Sequence, residues 1–168
     1  VGEKIFQTNL YHYAGTGHLA IDDAKLMRVG YDGLINEAKA RLSELSMRDP
    51  EYADKRDFYE AMIIMHEAAK KYIERYAKLC EEKAAEEKDE KRKAELETMA
   101  ANCHQVAGGA PQTFWQAMQL FNFATTLIQV ESNGHSISYG RMDQWLYPYY
   151  EKDIENGTLT KEFALELI

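Results

Sequence analysis

The chain has 168 residues and a formal net charge of −8. That length can bury a sizeable core as one unit, and the acidic balance excludes a nucleic-acid face, which needs clustered Lys and Arg. Its two cysteines, Cys80 and Cys103, form no CxxC pair, which argues against a zinc cluster or disulfide framework and for a reducing cytoplasm.

No signal peptide is visible, and no run of about 18 apolar residues predicts a membrane span. Residues 114–130 come nearest, but Gln116, Gln119, Asn122, Thr125, Thr126 and Gln129 interrupt them, so a buried helix is expected there. The sequence begins at Val1 without Met and stops at Ile168 inside an amphipathic pattern (Phe163, Leu167, Ile168). It therefore reads as a piece of a larger protein, since natural ends usually fall in polar, frayed sequence.

Residues 1–20 are expected to be extended or irregular. Tyr11, His12, Tyr13, Gly15, Gly17 and His18 fall together there, and the glycines break any helix and let backbone approach a ligand. The first helix starts after Asp22 or Asp23, either of which can cap it. Met27, Tyr31, Leu34, Ile35, Ala38, Leu42 and Leu45 make one face at helical spacing. Gly30 and Gly33 mark a close approach of another element, not a phosphate loop.

Asp49-Pro50 predicts the start of a second helix, with Asp as cap and Pro in the first turn. Phe58, Met62, Met65, Ala69, Tyr72, Tyr76 and Leu79 then follow in steps of four and three, which reads as one buried seam. Carried to Glu87, this helix is roughly 55 Å long at 1.5 Å per residue, more than a compact domain of this size easily shelters. His66 sits beside the seam as a partly exposed or satisfied histidine, not a ligand. Residues 81–97 alternate Glu and Lys and read as a solvated junction between helices, held by i,i+4 pairs. A third helix carries Leu96, Met99, Ala100 and Cys103, the last as a buried, unreactive hydrophobe.

Gly108-Gly109-Ala110-Pro111 breaks the chain, and Thr113 with Gln116 forms a capping box for a fourth helix. That helix is apolar on most sides and is expected to be buried all round. It leads into Glu131–Gln144, where small and polar residues crowd together after a stretch without any charge. Gly134 permits a turn or a close ligand approach. His135 brings a proton switch and Ser136 a hydroxyl that donates and accepts. On the residues alone, a tight turn with a hydrogen-bonded histidine is the first reading of this pattern and a buried polar site the second, because a lone His-Ser pair is a weak signal. Arg141 and Asp143 read as a mutual pair that fixes the loop. Beyond them, 143–155 is a short helix stopped at Asn156-Gly157, and Thr160 caps a last helix.

Glu131 to Tyr150, with its His-Ser, Gly-Arg, Asp-Gln and Tyr-Pro-Tyr-Tyr runs, resembles a signature stretch of the glycyl radical enzymes. Pyruvate formate-lyase, choline lyase and the cobalamin-independent glycerol and propanediol dehydratases make up that family. Ala110 to Gln119 resembles the helix these enzymes carry just before the signature. Gly17-His18 and Asp23-Ala24-Lys25-Leu26 through Gly33 resemble their upstream segment. The likeness covers nearly the whole chain and keeps the order of its pieces.

The resemblance implies a mainly α segment: the helical N-terminal-half portion of a ten-stranded α/β-barrel enzyme. Residues 1–20 would be its entry segment, 21–130 its helices, 131–144 its substrate-site loop and 145–168 further helices. It implies a glycine-centred radical near the parent's C-terminus, installed by an S-adenosylmethionine-dependent activating enzyme, and a cysteine thiyl that abstracts hydrogen. Both are expected beyond Ile168, so Cys80 and Cys103 take neither role and no cofactor is expected on this segment. In the dehydratase branch, the matching positions His18, His135 and Ser136 contact the diol hydroxyls. A histidine can then donate the proton that lets the hydroxyl leave as water. The parent is expected to be a cytoplasmic homodimer acting on a small molecule such as glycerol or 1,2-propanediol, with no nucleic-acid or membrane partner. A pyruvate formate-lyase-like acyltransferase, or another C–O or C–N lyase, is the alternative within the family. Pyruvate formate-lyase would want arginines on a carboxylate, and Arg141 is the basic residue near this motif. A non-enzymatic helical interaction module built on residues 50–97 is the alternative outside it.

Overall fold

A computed structural model describes residues 17–132 and 136–168. The order is β1 (Leu19–Ala20), α1 (Asp23–Ser43), α2 (Tyr52–Glu86), α3 (Glu90–Gly108), α4 (Phe114–Ser132), β2 (Ile137–Ser138), α5 (Met142–Glu155) and α6 (Lys161–Leu167). The described residues are thus mainly helical, with two very short strands, in agreement with the sequence reading.

Local signals set most helix ends. The Asp22 side chain accepts from the Lys25 N–H at 3.1 Å and caps α1. Asp89 caps α3 through Arg92 N, and Thr160 caps α6 through Phe163 N. Such caps satisfy N–H groups that a helix cannot pair internally. α5 stops at Asn156, and Gly157 follows in the left-handed region at φ 71°, a conformation glycine takes without steric cost. α2 begins later than the Asp49-Pro50 pair suggested. Asp49 instead accepts from the Glu51 N–H and pairs with Lys55, closing a turn ahead of the helix.

α2 and α3 form a long antiparallel hairpin, with α1 packed on α2, and α4 on α3. At 35 residues, α2 is roughly 52 Å long. Its buried stripe is Ala69, Ile73, Ala77, Cys80 and Ala84. Three alanines there let α1 and α3 approach closely. This corrects the predicted seam: Phe58, Met65, Tyr76 and Leu79 are 61%, 54%, 40% and 42% exposed. Of the predicted seam, Ala69 joins the buried stripe, Met62 and Tyr72 are half-buried, and Tyr72 and Tyr76 turn to meet Phe123 of α4. The hairpin turn is solvated as expected, with Arg92 and Lys91 both reaching Glu95.

The core gathers Ile73 from α2, Val106 and Cys103 from α3, and Ala117 and Leu120 from α4, all at most 2% exposed. Burial pushes the Cys103 thiol up to about 12, so it stays protonated and unreactive. α4 is not buried all round. Asn122, Gln129 and Val130 are exposed as the helix leaves the core. Gln116 and Gln119 are paired, whereas the buried Thr125 hydroxyl has no partner among the described residues. Asn102 donates to Gln119 at 2.8 Å, Gln116 donates to Asn102, and Gln119 reaches the Met99 carbonyl. These amides staple α4 to α3, which explains why an apolar helix carries glutamines. The predicted capping box is half formed. Thr113 caps Gln116 N, whereas the Gln116 amide oxygen accepts from Gln112 N.

Gly30 breaks α1 with φ 62° and ψ −179°, a region open essentially to glycine alone. A Cβ there would lie 2.5 Å from the Gly108 oxygen and from the Gly109 carbonyl carbon. The predicted close approach is therefore made at Gly30, by the α3–α4 bend. At Gly33 a Cβ would meet only Val29 of its own helix.

Candidate functional site

β1 and β2 are separated by four helices and pair in parallel, with Leu19 opposite Ile137 and Ala20 opposite Ser138. A parallel pair always needs a long crossover, and here α1–α4 supply it. His18 and Ser136 each sit one residue before a strand. One further step of the register sets them side by side at the same end of the ladder. Both are exposed, and both have left-handed backbone, with φ 59° at His18 and 53° at Ser136. Non-glycine residues in that region cost about 1–3 kcal/mol each and cluster at ligand-binding positions. His135, the other predicted site residue, lies outside the described residues, as do Tyr11, His12, Tyr13 and Gly15.

Each strand is anchored to a helix on the side away from His18 and Ser136. After β1, Ile21 packs against the core and Asp22 caps α1 at once. After β2, the Tyr139 ring meets Phe121 of α4 edge-on at 5.0 Å, and Phe121 meets Trp145 of α5 at 5.4 Å. Arg141 then grips Asp143 with both nitrogens, Nε to Oδ1 at 2.9 Å and Nη2 to Oδ2 at 2.7 Å. This is the loop-fixing pair the sequence suggested.

Sequence reasoning missed one residue near this frame, Asp153, and gave another, Asp23, a capping role that Asp22 takes instead. Asp153 is buried and accepts the Phe114 N–H at 2.7 Å, which holds the start of α4 against α5. Alternating charge in α5 gives no hint of it. Asp23 is 2% exposed with neither carboxyl oxygen partnered. Burial, and then the neighbouring Asp22 charge, push it up to about 6. His66 is half-buried as expected, but its Nδ1 has no partner, and burial lowers its pKa.

No group of three His, Cys, Asp or Glu among the described residues is placed to hold a metal ion. No described helix is long and apolar enough to cross a membrane. Two surface grooves are lined by other residues than His18 and Ser136. The described residues thus place His18 and Ser136 together at one exposed end of the ladder, with no enclosing wall among them.

A family model described as "Pyruvate formate lyase-like" matches residues 1–168. The chain is 76% identical to (2S)-3-sulfopropanediol dehydratase of Klebsiella oxytoca over 168 residues, all of this chain and 20% of that protein. It is 40% identical to isethionate sulfite-lyase of Oleidesulfovibrio alaskensis over 88% of this chain and 18% of the relative. Among solved structures, the glycerol-bound B12-independent glycerol dehydratase from Clostridium butyricum superposes with a TM-score of 0.87 at 46% identity, covering 94% of this chain and 20% of that one. The chain spans about a fifth of the length of the relatives it matches. Its fold, its sequence along all 168 residues and the 131–150 signature agree: the chain belongs to the pyruvate formate lyase-like family, the family of glycyl radical enzymes.

Proposed function

We propose that this segment supplies substrate-holding residues to a glycyl radical dehydratase whose substrate is a small vicinal diol bearing a sulfonate, (2S)-3-sulfopropanediol. The carrying observation is the 76% identity with the Klebsiella oxytoca dehydratase along the entire chain. The first reading, glycerol or 1,2-propanediol, keeps the same reaction and differs in the group on the third carbon.

In the full-length parent a glycine-centred radical, installed by an S-adenosylmethionine-dependent activating enzyme, supplies hydrogen abstraction through a cysteine thiyl. This chain's own residues do the rest of the work assigned to it. Removing hydrogen from one hydroxyl-bearing carbon leaves the neighbouring hydroxyl to depart as water, which requires a proton. His18 or His135 donates it, a role that the ring N–H groups of histidine suit. Ser136 orients the second hydroxyl. His18 and Ser136 flank one ladder end, an arrangement that suits two contacts on adjacent carbons. The remaining four-fifths of the parent supplies the enclosing wall. The parent is read as a cytoplasmic homodimer.

The test is a substrate panel on the activated, full-length parent under strict anaerobiosis. The highest kcat/KM is expected with (2S)-3-sulfopropanediol, lower values with glycerol and 1,2-propanediol, and none with pyruvate and coenzyme A. Turnover of pyruvate in preference to any diol would move the protein to the acyltransferase branch. His18→Ala or His135→Ala should lower kcat by roughly a hundredfold, the usual scale for a positioned general acid. Ser136→Ala should mainly raise KM, because a neutral hydrogen bond contributes about 0.5–1.5 kcal/mol. His66→Ala should leave the kinetics alone. Unchanged kcat in both histidine variants would remove the site assignment.

A further inference from the structure

His18 and Ser136 reach the same end of the ladder along two separate routes. β1 continues through Ile21 and the Asp22 cap into α1, and β2 continues past Tyr139 and Arg141 into α5. The ladder itself pairs only two residues per strand, so the spacing of the two side chains depends on how α1 sits against α5. Among the described residues, one hydrogen bond joins these helices directly. The Tyr149 hydroxyl donates to the Met27 carbonyl at 2.9 Å, across a sequence separation of 122. Met27 lies just before the non-helical Gly30, and carbonyls in the last turn of a helical segment have no following turn to pair with. The break in α1 thus presents an acceptor, and α5 brings the donor. Tyr149 is half-buried, and burial raises its pKa, so the hydroxyl keeps its proton at neutral pH and donates.

From this crossing we infer that Tyr149 is a positioning residue for the dehydration: its hydroxyl sets the distance between His18 on one strand and Ser136 on the other, and so their fit to two hydroxyls on adjacent carbons. The other holds near the ladder act on one strand at a time. Asp22 caps the helix that follows β1, and Phe121 of α4 meets Tyr139 after β2. The Tyr149 bond instead ties one route to the other. A hydroxyl two residues away does no such work, since Tyr147 donates to Glu151 of its own helix at 2.9 Å. The left-handed backbone at His18 and Ser136 is a costly conformation that persists only where the surroundings impose it. Loosening the α1–α5 crossing lets it relax and shifts the side chains, and a displacement of about 1 Å at a reacting group lowers a rate by up to about a hundredfold.

The inference rests on the site reading above, and a double-mutant cycle in the activated full-length parent, assayed with (2S)-3-sulfopropanediol, tells the two apart. Tyr149→Phe removes one oxygen and keeps the ring. It should lower kcat/KM by roughly tenfold, a loss on the scale of a small misplacement, while Tyr147→Phe leaves kcat/KM unchanged. In a Ser136→Ala background no hydroxyl remains on β2 to position. There Tyr149→Phe should lower kcat/KM by about twofold or less, because residues that act through one another are not additive. The glycine radical content after activation, read by electron paramagnetic resonance, should equal that of the unaltered parent. An unchanged kcat/KM in Tyr149→Phe would overturn the inference. So would equal losses in both backgrounds or a variant that no longer accumulates the radical, since either gives the hydroxyl a general structural role. If Ser136→Ala alone leaves kcat and KM unchanged, the site reading falls and the inference with it. If Ser136→Ala raises KM and the cycle is additive, the inference falls and the site reading stands.

Discussion

Replacing Gly30 with Ala tests whether the α1 break is what seats the α3–α4 bend. Two costs add. Gly30 has φ 62° and ψ −179°, and a non-glycine residue held there costs about 1–3 kcal/mol. The new Cβ would also stand 2.5 Å from the Gly108 oxygen and Gly109 carbon and 2.7 Å from the Ala110 nitrogen. These are backbone atoms that cannot rotate away, and overpacking of this kind costs about 1–3 kcal/mol more. The sum is about 2–6 kcal/mol, a large share of the roughly 5–15 kcal/mol that holds a domain together. With a urea slope of about 2 kcal/mol per molar, a 4 kcal/mol loss lowers the unfolding midpoint of the 168-residue chain by about 2 M. Gly157 is the control. It also has positive φ, 71°, but a Cβ there would meet nothing within 4 Å. Gly157→Ala should therefore cost only the left-handed penalty, about 1–2 kcal/mol. If the two variants lose equal stability, the close crossing contributes nothing and the reasoning fails.

Three further outcomes are expected. His104 lies between Glu81 and Glu74 with ring nitrogens 2.8 and 2.9 Å from their carboxylates, and the Glu81 hydrogen bond first, with both charges, raises its pKa. That stability is complete below the unfolded value of about 6.5 and is lost as pH rises through the higher folded value; at 44% exposure it should amount to no more than about 1 kcal/mol, and His104→Gln should flatten the profile in urea titrations. Asp23 is the opposite case: its carboxyl is raised from 3.8 to about 6, so the fold loses stability as pH climbs through that interval. Asp23→Asn should stabilise the chain at pH 7 by up to about 3 kcal/mol, at 1.36 kcal/mol per unit, and a destabilised variant would show that the carboxylate has a partner. Purified 1–168 should turn over no diol, choline or pyruvate even with an activating enzyme, and any turnover by gas or liquid chromatography would refute the assignment of the radical chemistry to other parts of the parent.

What the sequence made legible was local. Asp22, Thr160 and Asn156-Gly157 act on N–H and C=O groups within four residues of themselves, so their roles could be read without knowing the fold. The α2 pattern shows the limit. Its four-three spacing announced a helix with an apolar seam, but spacing says nothing about which neighbour arrives. The alanine-rich stripe won the contacts with α1 and α3 because small side chains let three helices close together, and of the larger residues Tyr72 and Tyr76 turned to Phe123 of α4 while Phe58, Met65 and Leu79 were left outward. Gly30 was legible as a point of close approach and silent about its partner, because the bend that fills it lies 78 residues away. The 131–150 stretch was legible only through family resemblance. Nothing in a two-residue strand signals that Leu19 will pair with Ile137.

That pairing is too short to hold itself. Two residues per strand offer only a few hydrogen bonds, each worth about 0.5–1.5 kcal/mol net, against two left-handed residues at about 1–3 kcal/mol apiece. The position of His18 beside Ser136 must therefore be imposed by the helices. β1 runs directly into α1, and β2 runs through the Tyr139–Phe121–Trp145 contacts into α5. α1 and α5 are joined in turn by the Tyr149 hydroxyl, which donates to the Met27 carbonyl at 2.9 Å. The Gly30 crossing fixes α1 on the bend that starts α4, and Asp153 of α5 caps the first turn of that same helix. α1, α4 and α5 are thus tied to one another, and both strands run into that set of helices. The left-handed backbone at His18 and Ser136 is carried by those helices, and both residues stand exposed at the same end of the ladder.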